Sequence, residues 1–193
     1  MLEKTQEEKI LDAAYAVIGR EGYAQTTLRQ IAEEAQVALS QISYHYQNKE
    51  GLLLAVVKRV ARRHFEYMHN YLKPEMSPRE KGTCFIQLYR EVLMKEPELF
   101  RVLYDLVGLA LWSEPLRHRV RGIFQGIMDQ FSAEVFTGEV MEALDHAYSP
   151  EVLSSLFFGG IFGIAVQVLL EPKETAYSGL EALNMIFRIG EVN

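Results

Sequence analysis

Apolar residues recur along this chain at intervals of three and four, the spacing that gathers them on one side of an α-helix. In residues 5–21 the stripe is Ile10, Ala13, Ala14, Val17 and Ile18; glutamates crowd the early turns, where they suit the helix dipole, and Gly22 ends the helix. Tyr23 follows as the aromatic expected to join this helix to the next. Residues 26–53, TTLRQIAEEAQVALSQISYHYQNKEGLL, read as two short helices and a tight turn. The first, capped by Thr26 or Thr27, buries Leu28, Ile31, Ala32 and Ala35. Its alanines are small enough for a second helix to cross closely, and Val37, Ile42 and Tyr46 supply the facing side. Between Ala35 and Ala38 there is room only for a turn.

From Lys49 the pattern becomes one long helix that stops before Pro74 and measures roughly 30 Å at 1.5 Å per residue. Its first half is expected to pack on the N-terminal helices and its second half on the remainder of the chain. Helices are then predicted over 78–95, 97–112, 115–136, 150–171 and 175–189, with Pro97 and Pro115 suited to first turns and 137–148 as a loop. No stretch reads as a strand. The predicted class is all-α, with about nine helices: a three-helix N-terminal head over 1–48 and a helical bundle over 49–193.

The outward face of the helix after the turn carries Leu39, Ser40, Gln41, Ser43, Tyr44 and His45, short or planar hydrogen-bonding groups with one aliphatic. Such a face suits a groove lined with base edges and phosphates. The stretch resembles the helix-turn-helix of the TetR family of transcriptional regulators, whose pattern runs T-x-x-x-I-A-x-x-A-G-V-S, then a recognition helix ending near Y-x-H-F, then K-E-x-L. Thr27, Ile31, Ala32, Ala35, Val37, Ile42, His45, Tyr46, Lys49, Glu50 and Leu52 stand where that pattern asks. A three-helix bundle with alanine-rich crossings would explain the buried positions, but not His45 and Lys49.

Three departures matter. Gln36 replaces the turn glycine, so a positive φ there would carry strain. Ala38 replaces the usual serine and removes one possible N-cap, leaving Ser40 to cap a helix that starts later. Ser43 replaces a tyrosine whose hydroxyl, in the family, reaches a phosphate. The resemblance implies that Leu39, Ser40, Gln41 and Tyr44 face base edges and that Arg29 reaches a base from the preceding helix. It also implies that Thr27, His45 and Lys49 face phosphates. Its further implications are an operator of double-stranded DNA and a repressor released by a small-molecule effector.

The resemblance places a homodimer interface on the last two helices, at Leu153, Phe157, Gly160, Ile161, Ile164, Val168, Leu180, Leu183 and Phe187. Gly159, Gly160 and Gly163 each weaken a helix by roughly 1 kcal/mol unless close backbone approach offsets the cost. A ligand pocket, mainly apolar in the family, would draw on Phe65, Met68, Phe85, Tyr89, Tyr104, Trp112 and Met128, with Arg101 and Asp105 as polar groups.

The net charge of -6 is at odds with a nucleic-acid partner until it is divided. Residues 1–63 hold nine Lys/Arg against eight acids, and the acidity belongs to the remainder, with eleven against eighteen. What DNA meets depends on local placement. The single cysteine, Cys84, excludes an internal disulfide and fits a reducing cytoplasm. The charged N-terminus, MLEKTQEEK, has no signal-peptide pattern. The apolar run 156–170 falls short of the roughly 20 residues that span a bilayer, so a buried helix, not a membrane association, is expected.

No metal or cofactor is implied. A helical-bundle metalloenzyme needs two Glu-x-x-His motifs, and only Glu66 and His69 have that spacing. Gly-rich phosphate loops and nucleophile-elbow serines are absent from the sequence, so an enzyme is not expected. A DNA-binding protein whose C-terminal part answers to a protein partner, with no small-molecule ligand, is the other reading.

Overall fold

The computed structural model describes residues 4–188, without the side chains of 63, 64, 67, 69 and 70. The Glu66–His69 pair therefore lies partly outside the described residues, as does the predicted helix end at Ile189. Eleven helical segments and no strand are found among them: α1 (Gln6–Glu21), α2 (Leu28–Ala35), α3 (Leu39–Tyr46), α4 (Lys49–Tyr71), α5 (Pro78–Lys95), α6 (Glu98–Trp112), α7 (Glu114–Val135), α8 (Gly138–Ala143), α9 (Pro150–Leu170), α10 (Glu174–Ala182) and α11 (Met185–Arg188). The two beyond the nine expected are short. α8 lies inside the predicted loop, where Val140 and Met141 are buried, and α11 arises because the last helix breaks at Leu183 and Asn184.

The chain divides into two compact units, Met1–His64 with Glu98–Ile123 and Phe65–Pro97 with Phe124–Asn193. This division differs from a cut at 48/49 because α4 and α7 are continuous helices that contribute residues to both units.

The first unit is built on α1, which packs against both α2 and α6. Thr5 caps α1 in a capping box with Glu8, and Gly22, at φ 81°, ends it. Ile10, Ala14, Val17 and Ile18 of α1, Ile31 of α2, Ile42 of α3 and Leu52, Leu53, Val56 and Val57 of α4 are all at most 2% exposed and belong to the core of this unit. Fully burying a large aliphatic of this kind contributes about 1.5–3 kcal/mol. Arg59, from the basic run after Val57, turns inward to pair with Asp12, whereas Lys58 and Arg62 are exposed.

The second unit has an aromatic core. Phe131 stacks on Phe157 with centroids 4.4 Å apart and meets Phe85 edge-on at 4.5 Å, while Phe136 and Phe187 close the cluster. α9 runs through it and packs against α5 and α10. A Cβ on Gly160 would lie 3.0 Å from Leu183, and one on Gly179 would lie 3.3 Å from Ile164, so these glycines serve the internal α9–α10 crossing.

α9 corrects one expectation. It starts at Pro150, so its 21 residues, with a mean hydropathy of 2.0 over the most apolar window, are long and apolar enough to cross a membrane. Leu153, Phe157, Ile161, Ala165 and Val168 are nevertheless at most 6% exposed against the rest of the unit. Buried residues make up 39% of that window and lie along one side of the helix.

Candidate nucleic-acid interface

Thr27, not Thr26, caps α2. Its hydroxyl accepts from the Gln30 backbone N–H at 3.2 Å, and its own N–H donates to Gln30 Oε1 at 2.7 Å. Thr26 is buried, and its hydroxyl donates to the Gly22 carbonyl at 2.8 Å, tying the approach segment to the end of α1. The Thr27 hydroxyl is exposed but already engaged within the cap.

Gln36 then adopts the left-handed conformation, φ 57° and ψ 44°. Its N–H donates to the Glu33 carbonyl at 3.2 Å, and the Val37 N–H donates to the Ala32 carbonyl at 3.0 Å. This pair of bonds is a Schellman closure, which normally favours glycine at the left-handed position. The positive φ anticipated at the replaced turn glycine is present.

α3 begins at Leu39, one residue before Ser40, so Ser40 is not its cap. Ala38 holds the N-cap position without a side-chain acceptor, and its N–H donates to Gln41 Oε1 at 3.3 Å. Ile42 is fully buried and Tyr46 half-buried, so α3 is pinned along one side. Burial pushes the Tyr46 hydroxyl up to about 12. Leu39, Ser40, Ser43, Tyr44 and His45 are exposed, and Tyr44 stands 84% free, its ring edge-on to His45 at 5.3 Å. Gln41 is half-buried, and the Ser43 hydroxyl donates back to the Leu39 carbonyl at 3.3 Å. On α2, the Arg29 guanidinium is exposed beside Glu33 at 3.6 Å.

Lys49 starts α4 half-buried, with Nζ 4.1 Å from the Tyr23 ring centroid. Burial pushes its pKa below the usual lysine value, and the negative charge of Asp105 opposes that shift. Asp105 Oδ2 accepts from the Tyr23 backbone N–H at 2.7 Å. No local spacing signals this link, because 82 residues separate the partners.

Several residues expected at a ligand pocket are engaged or exposed in the structure. Asp105, proposed as a ligand group, is engaged with Tyr23. Arg101 is exposed beside Glu98, and Trp112 is 91% exposed, which takes both away from an enclosed apolar site. These three and Tyr104 belong to the first unit, whereas Phe65, Met68, Phe85, Tyr89 and Met128 belong to the second. There Met68 and Phe85 are buried, and Tyr89, its hydroxyl pKa raised by burial, meets Phe158 edge-on at 6.0 Å.

Most residues expected at a dimer face are covered within a single copy. Leu153, Phe157, Ile161, Val168, Leu180 and Phe187 are at most 6% exposed inside their own unit, and Gly160, Ile164 and Leu183 belong to the internal α9–α10 crossing. The apolar side that α9 leaves open is Val152, Leu156, Gly159, Gly163, Val166 and Leu170.

A capped helix, a tight left-handed turn and a second helix pinned on one side and polar on the other define a helix-turn-helix DNA-binding head on an all-α chain. Comparison with known proteins makes the assignment specific. Residues 10–56 match the family model described as bacterial regulatory proteins, tetR family. The Fatty acid metabolism regulator protein of Bacillus subtilis is 29% identical over 141 residues, 71% of this chain and 72% of that one. Among solved structures, the transcriptional regulator FadR from Bacillus subtilis in complex with stearoyl-CoA superposes with a TM-score of 0.77 at 20% identity, covering 96% of this chain and 98% of that one. A regulator from Saccharomonospora viridis in complex with choline gives 0.79 at 17%, covering 95% and 96%. Over residues 10–56 the chain carries the helix-turn-helix domain of the tetR family of bacterial regulatory proteins, and over its whole length it shares their fold.

Proposed function

We propose that this chain is a cytoplasmic, homodimeric repressor that leaves its operator when a mostly apolar small molecule binds, with a long-chain acyl thioester as the effector class. The observation that carries the DNA-binding part is the outward face of α3, where Ser40, Ser43, Tyr44 and His45 are exposed while Ile42 beneath them is fully buried. Leu39, Ser40, Gln41 and Tyr44 face base edges, Arg29 reaches a base from α2, and Thr27, Ser43, His45 and Lys49 lie toward the backbone. The effector class draws support from the Bacillus subtilis relative named for fatty acid metabolism and from the FadR structure of the same organism, which holds stearoyl-CoA. The choline bound to a third favours a small cation instead, which serves as the control ligand.

Dimerisation uses the open side of α9. Val152, Leu156, Gly159, Gly163, Val166 and Leu170 alternate at spacings of four and three, the seam spacing of two helices packed side by side. A Cβ at Gly159 or Gly163 would meet nothing within 4 Å, so this strip is smooth enough for close approach by a second copy. An isologous pair reads two-fold related half-sites. The helix α4 contributes residues to both compact units, so a ligand that shifts its distal half tilts the end that carries Lys49.

In vitro selection from random duplex DNA tests the proposal. The recovered sequences should contain two related half-sites in inverted orientation. Recovery of a single unrepeated site, or no enrichment, would contradict it.

A further inference from the structure

We infer that Asp105 and Tyr23 are positioning residues for Lys49, so that part of the head's grip on the DNA backbone is set from α6, outside the helix-turn-helix. The inference rests on the reading that Lys49 faces a phosphate.

A free lysine side chain gives up rotamer freedom when one geometry is imposed on it. Lys49 has already lost part of that freedom, because its ammonium stands over the Tyr23 ring at 4.1 Å while the side chain keeps partial access to solvent. An ammonium on a ring face retains N–H groups that point away from the ring, and these remain available to a phosphate oxygen.

The ring is a platform only if its backbone is held. Tyr23 follows Gly22, whose φ of 81° closes α1, and belongs to the short segment between α1 and the cap of α2. Asp105 Oδ2 fixes that segment by accepting the Tyr23 N–H at 2.7 Å. A carboxylate acceptor makes this a charge-assisted bond, stronger than one to a neutral oxygen. Asp105 also lies close enough to favour the charged form of Lys49 against the burial that disfavours it. Glu50 is the other acid acting on the Tyr23 ring. Asp105 thus holds the platform and supports the charge on it.

The test compares binding to the selected operator duplex across salt concentrations for Lys49→Ala, Tyr23→Leu, Tyr23→Phe, Asp105→Leu and Asp105→Asn. Lys49→Ala should lower the salt slope by about one. Tyr23→Leu and Asp105→Leu should each lower it in the same direction and add nothing further in the Lys49→Ala background. Tyr23→Phe, which keeps the ring, and Asp105→Asn, which keeps an acceptor, should retain the wild-type slope. If Lys49→Ala leaves the slope unchanged, the phosphate reading fails and the inference falls with it. If Lys49→Ala lowers the slope while Tyr23→Leu and Asp105→Leu do not, the phosphate reading stands and the inference is overturned.

A readout without DNA covers variants that weaken the fold. The Lys49 Hε resonances should show an upfield ring shift in the wild-type protein that Asp105→Leu abolishes and Asp105→Asn preserves. An unchanged shift in Asp105→Leu would also overturn the inference.

Discussion

Arg59 Nη2 of α4 lies 2.7 Å from Asp12 Oδ1 of α1, and the same guanidinium donates to the Glu8 carbonyl at 3.3 Å. The long helix is thereby fastened to α1 by a side chain only 17% exposed. Burial alone would raise the Asp12 pKa, but hydrogen bonds from Lys4 and Arg59 outweigh it, and the carboxyl titrates below its usual range. A depressed carboxylate contributes stability above its unfolded pKa of about 3.9 and loses it as pH falls through the lower folded value. Asp12→Ala should therefore cost about 1–2 kcal/mol at pH 7 by leaving Arg59 without its partner. Denaturant titration at pH 7 and near pH 2 checks this: the deficit should shrink in acid, and an unchanged deficit would contradict the assignment.

The α2–α3 turn offers a gain. Gln36 occupies the left-handed region at φ 57° without glycine's freedom there. Gln36→Gly should stabilise the head by about 0.5–1 kcal/mol, since removing the Cβ strain exceeds the added entropy of the unfolded chain. Thermal melts of the two proteins decide the sign, and a lower melting temperature for Gln36→Gly would show that the turn is unstrained.

That strain was legible in the sequence because the helix-turn-helix is local: Ile31, Ala32, Ala35, Val37 and Ile42 fix the crossing within a few turns of chain. Most helix boundaries were legible for the same reason, through Gly22 at the end of α1 and the prolines at or beside the starts of α5, α6, α7 and α9. The two sides of α9 were not. This helix is apolar all round, so periodicity cannot tell Leu153 and Phe157, which are buried, from Val152 and Leu156, which are 52% and 64% exposed. Trp112 misled in the opposite sense, because size alone placed it inside. The link from Asp105 to Tyr23 depends on a tertiary contact that no local spacing encodes.

Base and backbone contacts should separate by mutation. Arg29 is exposed, with its Nε 3.6 Å from Glu33 one turn away, so its forked donors can turn to meet a guanine. Arg29→Ala should cost roughly 1–3 kcal/mol on the selected operator and relax preference at one position per half-site, whereas Lys49→Ala should weaken all sequences alike. Titrations against operator variants distinguish the two, and uniform losses from both would contradict the division.

Leu156 tests the dimer seam because it is exposed and apolar within one copy. Leu156→Glu would bury two like charges across a two-fold axis and should weaken association by about 100-fold or more. Sedimentation at micromolar concentration should show a dimer for the wild-type chain and a monomer for Leu156→Glu. A Leu156→Glu dimer as tight as wild type would move the interface elsewhere.

If an acyl thioester and the operator compete through the protein's conformation, thermodynamic reciprocity ties their affinities together. A coupling of roughly 1–3 kcal/mol changes affinity by about 5–150-fold, and the factor must be the same in both directions. Stearoyl-CoA binding should be measured by calorimetry with and without saturating operator duplex, with choline as the control ligand. Operator should weaken stearoyl-CoA binding by the same factor by which stearoyl-CoA weakens operator binding. Equal stearoyl-CoA affinity in the presence and absence of operator would contradict the mechanism.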